Sequence, residues 1–109
     1  MAKKLFNENL YQRVSLGNLI IFCLFSISEK RQKSTFGQIV NECFTLFPKS
    51  FSFVHFPKWP DARKLDRTLR SLRARKLISG SPETLFSLTK LGKKIAEETA
   101  KTFRQGKLL

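Results

Sequence analysis

The sequence predicts an α+β domain, mainly helical, in which a three-helix core is followed by a β-hairpin and a closing C-terminal helix. Three observations carry this prediction. Apolar residues recur at intervals of three and four along three separate segments, the period of a helix that buries one face. Gly80-Ser81-Pro82-Glu83 lies between two short apolar-containing segments, as the loop of a hairpin does. The 109 residues, 41% hydrophobic with only 5 Gly and 4 Pro, suit one compact domain and exclude a low-complexity chain.

Residues 1–13 are polar and mixed and read as an arm or a short leading helix. From Val14 onward Leu16, Leu19, Ile20, Cys23, Leu24 and Ile27 keep helical spacing, and Ile21, Phe22 and Phe25 make the segment apolar nearly all round, as a central core helix is. It stops in the charged run Ser28–Lys33. Thr35 and Gln38 have the spacing of a capping box, each side chain satisfying a free N–H at a helix start. The second helix then carries Phe36, Ile39, Val40, Cys43, Phe44 and Phe47 on one face, packed against the first, until Pro48 ends it. Lys49 to Trp59 reads as a long loop or a short strand. Pro60 suits the first turn of a third helix and Asp61 its positive end, with Ala62, Leu65, Leu69 and Leu72 at helical spacing to about Arg75. Lys76–Ser79 and Thr84–Leu88 form the hairpin. Thr89 offers an N-cap to the last helix, which turns Leu91, Ile95, Thr99 and Phe103 inward and Lys90, Lys93, Lys94 and Lys101 to solvent. The domain spans 14–103, and 104–109 are a basic C-terminal tail.

Charge is the main functional clue. Lys and Arg number 21 against 8 Asp and Glu, a formal net charge of +13. Such an excess opposes compaction but concentrates polyanions around the protein, so nucleic acid is the first partner to consider, ahead of membrane surfaces and acidic proteins. The apolar stretch Leu16–Ile27 is roughly half the ~20 residues that span a bilayer, so no membrane partner is expected. Met1-Ala2-Lys3-Lys4 leads into Glu8 and Arg13 rather than an uninterrupted apolar run, and no small-residue cleavage site follows Ile27, so no secretory signal is expected either. Cys23 and Cys43 fall in apolar helical patterns as buried thiols, which fits a cytoplasmic protein.

The third helix carries the candidate site. Its apolar stripe is centred between Leu65 and Leu69, and the opposite side holds Arg63, Lys64, Arg67, Arg70 and Ser71. Between Pro60 and Gly80 seven basic residues face two acidic ones, and Asp66 stands four residues before Arg70, where it steadies that arginine. An α-helix fits the DNA major groove, and guanidinium groups bind guanine edges or phosphates with paired hydrogen bonds.

The run Leu65-Asp66-Arg67-Thr68-Leu69-Arg70-Ser71-Leu72-Arg73-Ala74-Arg75-Lys76-Leu77-Ile78 resembles the recognition helix of the winged helix-turn-helix superfamily entering its first wing strand. Leu88-Thr89-Lys90-Leu91-Gly92 is similar to the L-T-x-x-G with which the second wing strand enters the last helix. The order of elements over residues 14–103 agrees. The resemblance implies a duplex-DNA-binding module, a small transcriptional regulator, with Arg63, Lys64, Arg67, Arg70 and Ser71 facing the groove and Gly80 and Ser81 at the wing tip. It also implies twofold-related half-sites bound by a homodimer, with the first or the last helix as contact surface.

Other constellations lead elsewhere. Phe51, Phe53, Phe56 and Trp59 lie among Lys49, His55 and Lys58, a mixture that stacks unpaired bases in single-stranded DNA or RNA binders. The 11 Phe of so small a domain must mostly be buried, which favours these aromatics as core. A protein-interaction module with a basic docking face is the remaining alternative. One His and two Cys 20 positions apart offer no metal-ligand spacing, and no catalytic signature or Gly-rich phosphate loop is present. No metal, cofactor, small-molecule ligand or enzymatic activity is therefore expected.

Overall fold

The computed structural model describes residues 6–105, so residues 1–5 of the arm and 106–109 of the tail lie outside the described residues. The chain is mainly helical with one small antiparallel sheet. In order it forms α1 (Glu8–Tyr11), α2 (Leu16–Glu29), α3 (Phe36–Leu46), α4 (Pro48–Phe51), α5 (Ala62–Ala74), β1 (Ile78–Ser79), β2 (Ser87–Leu88) and α6 (Lys90–Gln105). Ile78 pairs with Leu88 and Ser79 with Ser87.

Helix α2 is central, touching α3, α5, α6 and β2. Its Leu19, Ile20, Ile21, Cys23 and Ile27 are wholly buried, which is why the segment reads as apolar almost all round. Burial pushes the Cys23 thiol well above its ordinary pKa, helped by a hydrogen bond with Cys43, and both cysteines are free. One carboxylate enters this interior. Glu42 is 3% exposed and accepts hydrogen bonds from Ser26 Oγ at 2.7 Å and Lys30 Nζ at 2.8 Å, so its charge is both paired and solvated by donors.

The leading segment belongs to the core more fully than its polarity implies. Tyr11 is buried and its hydroxyl accepts the N–H of Lys49 at 3.1 Å, tying α1 to α4. Phe6, Phe22, Phe47 and Phe103 meet at ring-centroid distances from 4.9 to 6.0 Å, joining this segment to α2, α3 and α6.

Caps follow the sequence. Ser15, Thr35 and Asp61 accept the N–H groups of Asn18, Gln38 and Lys64 at the starts of α2, α3 and α5. Three expectations need correction. The Gln38 side chain donates to Gln32 at 3.1 Å instead of closing a capping box on Thr35. Pro60 stays outside α5, bridged to Ser52, because Asp61 takes the cap position. The hairpin strands are two residues each. Lys76 turns left-handed (φ 61°) on leaving α5, and Ser81–Thr84 close a turn that takes the start of the predicted second strand and leaves Ser87–Leu88 to pair.

Helix α6 turns Thr99 inward and packs Ile95 and Phe103 against the core as expected, but Leu91 departs from expectation. Leu91 is 54% exposed, while Gly92, Ala96 and Thr99 form the buried face. At Gly92 the absence of a side chain lets the start of α6 approach the backbone of Leu77 closely. A Cβ on Gly92 would stand 2.1 Å from the carbonyl oxygen of Leu77.

Candidate nucleic-acid interface

Helix α5 is held by Leu65, Leu69 and Leu72, all buried, and capped by Asp61 Oδ1, which accepts the Lys64 N–H at 3.0 Å. At its far end the N–H groups of Lys76 and Leu77 return to the carbonyls of Arg73 and Leu72, both at 3.0 Å, the double closure of a Schellman motif. With three leucines seated and both ends closed, the rotation of α5 about its axis is fixed. Whatever lies opposite the leucine seam is held outward.

Opposite it stand Arg63, Arg67 and Arg70, all exposed, spanning about 10 Å along the axis at the rise of an α-helix. Among the described residues neither Arg63 nor Arg67 forms an ion pair. Arg70 is paired with Asp66 at 3.1 Å, the i, i+4 bridge expected from their spacing. Ser71 is exposed on the same face. Lys64 sits at its margin, half-buried, its amine donating to the Ser50 carbonyl at 3.3 Å and thus anchoring α5 to α4. The predicted face therefore resolves into two unpaired arginines, one tethered arginine, a serine and a lysine engaged at the side.

Gly80 and Ser81 form the hairpin's turn. Gly80 adopts φ +107°, and a Cβ there would meet the Leu85 carbonyl oxygen at 2.1 Å. Ser81 N–H donates to Thr84 Oγ1 at 3.0 Å. Arg73 donates to the Gly80 carbonyl at 2.7 Å, lashing the hairpin to α5. The sequence reading left Arg73 out of the site; its helical angle, off the arginine row and toward the hairpin, is the signal that could have assigned it this role. Asp66, Arg70, Arg73 and Glu83 share a groove of about 300 Å³ between α5 and the hairpin. No basic residue stands between Ser79 and Thr84, so attraction for phosphates rests on the helix.

The loop ahead of α5 departs most from expectation. Phe51 is fully buried, but Phe53 is 42% exposed, Phe56 57% and Trp59 59%, correcting the assignment of these aromatics to the core. The reason is local pairing. Phe53 N–H donates to the Trp59 carbonyl at 3.0 Å, and Asp61 N–H to the Phe51 carbonyl at 2.7 Å, closing a narrow loop whose only inward anchor is Phe51. Phe56 and Trp59 stack on each other instead, centroids 5.3 Å apart and planes 19° apart.

Among the described residues no cluster of His, Cys, Asp and Glu is arranged to hold a metal ion, and no helix is long and apolar enough to cross a membrane. No protein-family profile, characterised protein or solved structure matches the chain significantly.

Proposed function

We propose that the protein binds duplex DNA through the exposed face of α5, as a small regulator of the winged helix-turn-helix type. The observation that carries this reading is the pairing of a locked leucine seam with the outward, unpaired guanidiniums of Arg63 and Arg67. A helix so presented fits the major groove, where arginine binds guanine edges with two hydrogen bonds or clamps the flanking phosphates. The order of elements supports it too: α2, α3 and α5 as the helical core, the β1–β2 hairpin as wing, and α6 closing the chain. Phosphate contacts supply affinity, and α5 supplies whatever base preference exists.

A titration into labelled duplex at several salt concentrations tests the reading. Contact with about five phosphates gives a log–log salt slope between about −4 and −5. Replacing the exposed Arg67 by Ala weakens binding and makes that slope shallower by about 1. A salt-independent signal, or an Arg67→Ala protein that binds duplex as the parent does, contradicts it.

A further inference from the structure

We infer that the loop ahead of α5 stacks an unpaired base of the same DNA that α5 holds, so that the preferred ligand is a duplex bordered by a single-stranded stretch. This rests on the duplex reading of α5 and adds to it a second contact with a different chemistry.

Three features of the loop carry the inference. First, the aromatics are displayed rather than loose. The Ser52–Pro60 bridge and the hydrogen bonds from Phe53 to Trp59, Phe56 to Phe53 and Trp59 to Phe56 give the loop a defined shape. Second, Phe56 and Trp59 stack on each other, so each ring covers one face of its neighbour, yet each stays more than half exposed. The exposed area must therefore lie on outer faces and edges, and an outer face of a stacked pair is where a nucleobase extends the stack. Third, the surroundings are cationic. Lys58 lies within the loop and Arg63 in the first turn of α5, and both are exposed. An apolar patch set among cations matches a ligand that alternates flat bases with phosphates.

Placement links the two contacts. Pro60 closes the loop and Asp61 caps α5, while buried Phe51 fixes the loop's other end to the core. Loop and helix thus form one body. A paired base hides its faces within the duplex and leaves Trp59 nothing to stack on. A base just beyond the duplex end offers an open face close to phosphates held by Arg63.

The chain has one tryptophan, so its fluorescence reports this contact directly. The full chain is titrated with a blunt duplex, with the same duplex carrying a four-thymidine overhang, with the thymidine strand alone, and with vesicles of anionic phospholipid. The overhang duplex is expected to quench Trp59 and to bind about five- to a hundredfold more tightly than the blunt one, the range of a single stacked base. By anisotropy of labelled DNA, Trp59→Ala and Phe56→Ala remove that advantage and leave blunt-duplex affinity unchanged. Circular dichroism confirms that these exposed substitutions leave the fold intact.

Equal binding of blunt and overhang duplexes with no quenching overturns the inference while the duplex reading stands. Loss of binding to both overturns the two together. The thymidine strand alone binding as tightly as the overhang duplex also overturns it, because α5 would then contribute nothing. So does a blue-shifted Trp59 emission with vesicles and no response to DNA, which would assign the loop to a lipid surface.

Discussion

Gly92 lacks a side chain because a backbone atom already occupies the space. The Leu77 carbonyl oxygen stands 2.1 Å from the position of a Cβ, and a backbone atom does not give way cheaply. Gly92→Ala is expected to cost about 2 kcal/mol, the scale of overpacking, and to lower the thermal midpoint by roughly 10 °C. A melting curve checks this, and an unchanged midpoint contradicts the close approach of α6 to the hairpin. The same scale explains why the site was only partly legible. That Arg63, Arg67 and Arg70 share a face follows from their spacing alone. That Arg70 is bridged to Asp66 follows from theirs, and the structure agrees on that bridge. Arg73 differs because its partner is a main-chain carbonyl in a turn, and sequence does not reveal where such an oxygen points.

Among the elements, the join between hairpin and last helix turns on Thr89. Its hydroxyl lies 2.9 Å from the Lys76 carbonyl oxygen and 3.0 Å from that of Leu77, and it accepts the Gly92 N–H at 3.1 Å. One side chain therefore caps α6 and fastens it to the strand leaving α5. Thr89→Val keeps the shape and removes these bonds, at an expected loss of about 1–2 kcal/mol. Urea unfolding measures it, and a Val variant as stable as the parent contradicts the role. Element types and caps could be read from Thr35 and Thr89 because capping is local, decided within three residues. The left-handed ends of α2 and α5 could not, because Arg31 and Lys76 stand where glycine is the usual mark. The loop after α4 was misjudged for a nonlocal reason. Whether Phe53, Phe56 and Trp59 are buried depends on how the chain pairs across the loop, and the bonds from Phe53 to Trp59 and from Asp61 to Phe51 turn them outward. Leu91 was misjudged similarly: helical period marks apolar faces, but at a close crossing the small residues Gly92 and Ala96 go inward.

For the whole molecule the question is whether net charge or a particular face does the binding. A charge of +13 attracts DNA to any side, and α6 displays Lys90, Lys93, Lys94 and Lys101 to solvent as openly as α5 displays its arginines. Long-range attraction depends on the total and is screened beyond about 10 Å at 0.1 M salt, whereas groove contact depends on which residues reach the duplex. Removing two charges from each helix separates these effects, since both variants carry the same total. The decisive measurement is duplex affinity at one fixed salt concentration for Arg63→Ala/Arg67→Ala beside Lys94→Ala/Lys101→Ala. A loss of about a hundredfold for the α5 pair and less than about threefold for the α6 pair is predicted, taking roughly 1–3 kcal/mol per groove contact. Equal losses from the two pairs, or a larger loss from α6, would contradict the assignment of α5 as the DNA-binding face.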